Sequence, residues 1–413
     1  MWEGHFFCLL CADIHNFGEN HITMMYEKPE ELAPWCALNR IFGFSPKTGA
    51  LLTEHFSGAA GVFRACRDEL AALLGKSSVH LSQINDKVLD EACREMEDLL
   101  GRGYRFICID DDRYPALLKD CEDPPIGLYL KSDSSPEEVF GYGPAVAIVG
   151  TRDISSYGKE ICIRLVKALA RAGVKPMIVS GLAIGTDITA QIAALEGGLP
   201  TLSVMATGIE EVYPFRHGWA AERICKAPHS GLITDYPPGT VPKAINFLRR
   251  NRIIAGISRM TILIESKSKG GGLMTCRLAN SYNREVYAVP GRLDDPCSAG
   301  CNSLIKSHMA EIVNDIDEFV ESLGFGRAGK GKASDIKSLV YQKYMESEGG
   351  EEAERMSVIA DIVRQNRDIL PEELCSFTDI PYSKMAEYIG KMVCDGIIVT
   401  DILQRCSVNP EIL

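Results

Sequence analysis

With 413 residues, 46% of them apolar, the chain is long enough to bury two or three separate cores, and its net charge of −12 excludes a protein that is basic throughout. No apolar run is long enough to cross a bilayer, and the short patch Phe6 to Ala12 follows Glu3 rather than a basic cluster, with no small-residue cleavage site after it. Neither a membrane partner nor a signal peptide is expected, and fifteen cysteines without secretory targeting suggest a reducing, cytoplasmic setting.

Residues 1–29 read as a leader of unknown order. Cys8 and Cys11 make a CxxC with His5, His15 and His21 nearby. A structural zinc needs a second pair at matching spacing, and none is present, so no metal is expected. Residues 30–101 form a helical region. Apolar residues recur at helical spacing on both sides of the break Gly43-Phe44-Ser45-Pro46, FRACRDELAALLG follows as another helix, and Val88 to Leu100 as a further one. Two helices around a glycine turn look like a helix-hairpin-helix or sterile-alpha-motif-like module, which could present backbone N–H groups to a DNA phosphate. Ser45 in place of a second turn glycine favours the plainer reading, a small packing domain. Arg105 to Ile109 reads as a strand, and Ser132 to Glu138 as a polar break.

Residues 102–323 carry the main pattern. Ala145 to Gly158, AVAIVGTRDISSYG, is a short buried strand, a glycine turn and the start of a helix, Lys159 to Arg171. The unit repeats: Met177 to Val179 enters SGLAIGTD and the helix Ile188 to Leu195, and Thr201 to Met205 enters ATGIEEVYP. Gly231 to Thr234 enters DYPPGT, Met260 to Ile264 enters ESKSKGGGLMT, and Glu285 to Val289 enters PGRLDDP. Alternating strands and helices of this length predict a doubly wound, mostly parallel, Rossmann-like α/β sheet, with its polar chemistry gathered at the strands' C-terminal edge. There Gly150 allows the turn, and Arg152 can fork onto a phosphate.

Between Thr240 and Ser307 eleven basic residues face four acidic ones, a local balance of +7 in an acidic chain. Local potential decides where a polyanion lands, so overall acidity does not exclude nucleic acid. Arg249, Arg252 and Arg259 fall on one helical stripe, with Ile253, Ile254 and Ile257 left to face the sheet; Arg250 need not share that stripe. The three glycines of GGGLMT, Gly270 to Thr275, let a backbone approach an anion before the helix Leu273 to Asn280. No GxxxxGK(S/T) and no GxGxxG is present, so neither a Walker-type nucleotide site nor a dinucleotide is expected. Asp187, Asp235 and Glu265 stand at strand ends without a nucleophile at recognisable spacing, and hydrogen-bonding and helix-capping roles suit them better than acid/base chemistry. Tyr157, Tyr213, Phe215 and Phe247 flank these loops; Phe215, beside Arg216 and His217, is the ring chosen to stack a base.

Residues 324–352 read as a linker with a helical piece, Ile336 to Met345. Residues 353–413 give three helices and a hairpin, a winged-helix pattern. From Asp335 to Leu413 there are 8 basic and 15 acidic residues, so this module is expected to contact protein, or its own partner subunit, rather than a duplex.

The ordered motifs VAIVGTR…YG, IVSGLAIGTD, Tyr213-Pro214, PPGT, RRNRIIAGIS, GGGLMT and VYAVPG…GCNSLI resemble the DNA-processing protein A family, DprA, also called Smf. The resemblance covers about half the chain, and Asp112 to Lys131 matches the connector that precedes the family's sheet domain. It implies a non-enzymatic protein without cofactor that binds single-stranded DNA, protects incoming DNA and loads RecA on it during natural transformation. It also implies a homodimer formed through the sheet domain. The family usually has Arg at Ile184, His at Gln191 and Ser-Glu at Thr234-Asp235. Together these readings nominate Gly150, Arg152, Ser180, Gly181, Phe215, Arg216, Arg249, Arg250, Asn251, Arg252, Gly271 and Thr275 as nucleic-acid contacts. A competing reading, a nucleotide-processing enzyme similar to the phosphoribohydrolases, would need a glutamate soon after the glycines, where Leu273 to Arg277 carry no carboxylate.

Overall fold

Strand β3 (Ala145–Val149) is buried on both faces, as are β4 (Met177–Ser180), β5 (Thr201–Val204), β6 (Gly231–Thr234) and β7 (Met260–Leu263). Continuous apolar runs of this kind suit the interior of a parallel sheet, where helices cover both sides. In the computed structural model, which describes residues 25–325, 336–366, 369–401 and 404–409, they form the centre of a nine-stranded sheet ordered β1-β2-β6-β5-β4-β3-β7-β8-β9. Here β1 is Arg105–Cys108, β2 Gly127–Lys131, β8 Glu285–Ala288 and β9 Glu311–Ile312. All neighbours from β6 to β9 run parallel, while β1 and β2 add an antiparallel edge through the pairing of Tyr129 with Thr234. The doubly wound sheet expected from the sequence is therefore present. The Cys8-Cys11 pair and its histidines lie outside the described residues.

Alternate residues of β3 serve opposite cores, as a pleated strand requires. Ala147 and Val149 join Ile253, Ile254, Ile257, Leu273 and Cys276, from the helices Ala244–Ile257 and Gly271–Ser281. Val146 and Ile148 join Ile161, Leu165, Leu169 and Ala190, from the helices Ser156–Ala170 and Thr186–Glu196. The chain leaves β3 for β4, β5 and β6 on one side, then returns to place β7 on the other.

The N-terminal helices do not close a core by themselves. Leu38, Phe42, Leu52, Val62, Met96 and Leu99 share one apolar cluster with Phe106 and Tyr129 of β1 and β2, and with Ala220 and Ile224 of the helix Gly218–Lys226. Polar atoms seal the same seam: the Tyr129 hydroxyl donates to Glu95 Oε1 at 2.8 Å, and Cys36 Sγ lies 3.2 Å from that oxygen. The C-terminal helices Ile336–Glu348, Gly350–Gln365, Pro371–Thr378 and Tyr382–Cys394 and the antiparallel pair β10 (Ile398–Thr400) and β11 (Cys406–Val408) do have a cluster of their own. Ile336, Val340 and Tyr344, from within the stretch read as a linker, are buried in it.

Since Leu38 is fully buried in the shared cluster, Leu38→Ala should cost about 2–5 kcal/mol. A probe on the N-terminal helices and one on the sheet should lose signal at the same denaturant concentration. Separate midpoints would contradict a shared core.

Candidate nucleic-acid interface

The reversal of strand order beside β3 leaves a crevice at the C-terminal ends of β3 and β7, the place where open α/β sheets bind ligands. It encloses about 740 Å³ and is lined by the β3 turn, Ala183 and Asp187 of SGLAIGTD, the helix Ala244–Ile257 and the glycine loop after β7. Gly150 is needed at its floor, since a Cβ there would stand 2.4 Å from Thr186 Oγ1. Arg152 is exposed at the rim, its guanidinium 5.0 Å from the centroid of the Phe247 ring, and Phe247 in turn lies 5.4 Å from Tyr213. A cation and two rings from three distant segments thus form one cluster, the rings tilted 57° to each other.

Across the opening, the helix Gly271–Ser281 starts at Gly270 with no side-chain cap. Its first N–H groups therefore face the crevice, where the helix dipole favours an anion. Lys267 and Lys269 stand beside it. Lys267 lies 3.3 Å from the exposed Asp153, and Lys269 has no ion pair among the described residues. Asn251 Nδ2 donates to the Gly271 carbonyl at 3.5 Å, and Thr275 Oγ1 donates to the same oxygen at 3.4 Å, which fixes the glycine loop to the wall.

Of the residues nominated from the sequence, Gly150, Arg152, Arg250, Asn251, Gly271 and Thr275 meet at this crevice. The others sit elsewhere. Ser180 is buried and donates to the Ile148 carbonyl at 2.7 Å. Gly181 packs on Arg250, so closely that a Cβ would be 2.1 Å from its Nη1. Phe215 and Arg216 occupy a short 3-10 turn after Tyr213-Pro214, with Phe215 92% exposed. Arg249 donates to the Gly43 carbonyl and lies 3.7 Å from the Phe44 ring centroid. Arg252 is buried, donating to Asp235 Oδ2 at 2.6 Å and to the Asp123 carbonyl. The helix ends at Ile257, so Arg259 falls outside the stripe drawn through it.

Arg250 forms the wall rather than the rim. Its Nη1 donates to Gly181 O at 2.8 Å and to Val204 O. Burial pulls its pKa down to about 10, with Asp187 acting against that and Arg152 adding to it. Burial likewise pushes the Asp187 carboxyl up, against Arg250 and the Ala183 and Gly181 N–H groups, which favour its charged form. Gln191, where the family usually has His, is buried and bridges Leu182 N–H to Ser203 Oγ. Ile184, where the family usually has Arg, is exposed and brings no charge. Lys267 and Lys269 had entered the sequence reading only through the charge balance; their place in KSKGGG, directly before the glycines, was the signal that could have singled them out.

Asp187, Asp235 and Glu265 are each engaged separately. Asp187 accepts from its own loop, Asp235 from Arg252, and Glu265 from Ser155. Among the described residues no group of His, Cys, Asp and Glu is arranged to hold a metal ion, and no helix is long and apolar enough to cross a membrane.

Residues 105–324 match the family model described as DNA recombination-mediator protein A. The chain belongs to that family. Protein Smf of Synechocystis sp. is 32% identical over 295 residues, covering 71% of this chain and 73% of its own. DNA processing protein DprA of Bacillus subtilis is 37% identical over 220 residues, 53% of this chain and 72% of its own. The X-ray structure of DNA processing protein A from Streptococcus pneumoniae covers 72% of this chain and 98% of its own, with a TM-score of 0.58 at 27% identity. Members of the DprA family are DNA-binding recombination mediators rather than enzymes, which sets the nucleotide-processing alternative aside.

The burial of Arg252 and Asp235 makes a test independent of any ligand. Removing one partner of such a pair strands the other charge, so Arg252→Ala should lose about 3–5 kcal/mol of stability in denaturant unfolding. An unchanged midpoint would show that the pair does not hold the helix to the sheet.

Proposed function

We propose that this DprA-family protein holds single-stranded DNA across the β3–β7 crevice, protects it and loads RecA on it. The observation that carries the reading is that the uncapped N-terminus of the helix Gly271–Ser281 shares one crevice with the Arg152–Phe247–Tyr213 cluster and with Lys267 and Lys269. Phosphates suit the helix N–H groups and the exposed cations. Unpaired bases suit the Phe247 and Tyr213 faces, and stacking tolerates any sequence because every base has a π-face. Paired bases keep their faces inside the duplex, so such a site favours the single strand. Phe215, 92% exposed on the turn after Tyr213-Pro214, offers a further ring to a base.

The mechanism is binding without bond chemistry. In this reading a cytoplasmic homodimer formed through the sheet domain lines up two crevices, keeps a strand open and passes it to the recombinase during DNA uptake. Residues 353–413, a winged-helix pattern with an acidic balance, contact protein or the partner subunit in the same scheme.

Fluorescence anisotropy with a labelled strand of roughly 30 nucleotides, long enough for two linked sites, tests the crevice. Arg152→Ala and Lys269→Ala should each weaken binding and flatten the salt dependence by about 0.7 in slope, one phosphate contact apiece. Phe247→Ala should cost about 1–3 kcal/mol with little change in slope. Wild-type affinity in all three variants, or equal affinity for duplex, would sink the strand-binding reading. Loss of RecA filament growth on coated DNA in the same variants checks the loading step.

A further inference from the structure

Of the helices that follow β3 and β7, the second has an uncapped N-terminus and the first does not. In the doubly wound fold a nucleotide's phosphates sit at the helix that follows the first strand of the parallel unit. Here that helix is Ser156–Ala170, and its N-terminus already holds an anion. Glu265, just beyond β7, is 2% exposed, and its Oε2 accepts from the Ser155 N–H at 2.9 Å while its Oε1 accepts from Ser155 Oγ at 2.5 Å. Ser155 Oγ in turn accepts from the Gly158 N–H at 3.0 Å. Gly158 leaves the space for this, since a Cβ would stand 2.4 Å from the Glu265 carboxyl carbon. The Glu265 backbone carbonyl accepts the Thr151 N–H at 2.8 Å, fastening the turn that a phosphate would otherwise enter.

Glu265 has no ion pair among the described residues. A buried carboxylate without a cation is expensive unless donors and a favourable dipole hold it. The donors at Ser155 and the helix N-terminus supply both, as they would for a phosphate.

We infer that Glu265 is a specificity-determining residue: its carboxylate occupies the phosphate position of the β3 turn, so the crevice refuses free nucleotides and orthophosphate there. What remains for an anion is the glycine loop at Gly270–Gly272, on the rim, where one phosphate of a longer chain fits beside exposed cations. A fold shared with nucleotide-binding proteins is thereby closed to the phosphate pair of a mononucleotide or dinucleotide. This goes beyond the strand-binding reading and does not depend on it.

The test uses the full chain, with inorganic phosphate and ADP as probes and chloride at matched ionic strength as control. Wild type and Glu265→Gln, which keeps the volume and most of the hydrogen bonds, should show the same rise in melting temperature with phosphate or ADP, no more than the glycine loop alone supplies. Glu265→Ala vacates the position and should gain phosphate and ADP binding, with a melting temperature raised by about 2–4 °C or more in excess ligand. Should Glu265→Ala not fold, Glu265→Ser, whose hydroxyl can still cap the helix, takes its place. A folded Ala or Ser variant that gains no phosphate binding overturns the inference, and so does a wild type that binds phosphate or ADP as tightly as the variant. The strand titration on the same samples keeps the two readings apart, since its failure leaves the phosphate result standing.

Discussion

A single buried guanidinium ties the crevice together. Arg250 reaches from the helix Ala244–Ile257 to the carbonyls of Gly181 and Val204, at or just beyond the C-terminal ends of β4 and β5, and no side chain larger than glycine fits at 181 beneath it. Those carbonyls would otherwise lose their partner away from water, a cost of roughly 1–3 kcal/mol for each buried polar group left unmet. The helix is therefore held in one position against the sheet, and with it Phe247 and Asn251, which shape the opening and the glycine loop. Arg250 also places positive charge in the wall, close enough to Arg152 for the Arg152 guanidinium to disfavour its charged form. An anion between them relieves that repulsion, so the restraint that builds the site also biases it electrostatically.

Much of the sheet was legible in the sequence because parallel strands buried on both faces must be nearly continuous apolar runs. VAIV and MIV have no polar face to confuse the reading. The polar C-terminal edge of the sheet followed from the glycine and charged residues at the strand ends. The arginines were less legible. Arg249, Arg250 and Arg252 look equivalent in RRNR, but each step along a helix turns the side chain by a large fraction of a circle. One clasps the Gly43 turn, one enters the wall and one pairs with Asp235, while the exposed guanidinium at the rim is Arg152. A count of charges cannot separate a guanidinium satisfied by carbonyls from one facing water. The ring cluster was hidden for a different reason: Arg152, Tyr213 and Phe247 are brought together only by the order of the strands.

The Gly43 turn shows how an apparent motif is absorbed by packing. Its carbonyl accepts from Arg249, the Phe44 ring lies against the same guanidinium, and the Ser45 N–H returns to the Phe42 carbonyl at 2.7 Å. Asn39, one turn earlier, donates to the backbone of Asp235 at 2.8 Å. The N-terminal helices are thus bonded to the two segments, Asp235-Tyr236 and the helix Ala244–Ile257, that stand behind the crevice. Ser45 where a second glycine would let a phosphate approach agrees with that inward use.

Charge is partitioned among the described residues between the C-terminal unit and the crevice. In the C-terminal unit Lys337 pairs with Glu354, Arg355 with Glu351, Lys384 with Glu387, Lys391 with Glu348 and Arg405 with Asp401. Its cations are largely neutralised at home, and the excess carboxylates give it an outward field that repels phosphate. Around the crevice the pattern is reversed: Arg152 and Lys269 have no ion pair among the described residues, and the buried carboxylates are each engaged from within, by loop N–H groups, a neighbouring guanidinium or a helix cap. Fields from exposed charges fade within a Debye length of about 10 Å at ordinary ionic strength. A net charge of −12 summed over the whole chain therefore says little about the potential at the crevice, where Arg152, Lys267, Lys269 and an uncapped helix N-terminus are gathered.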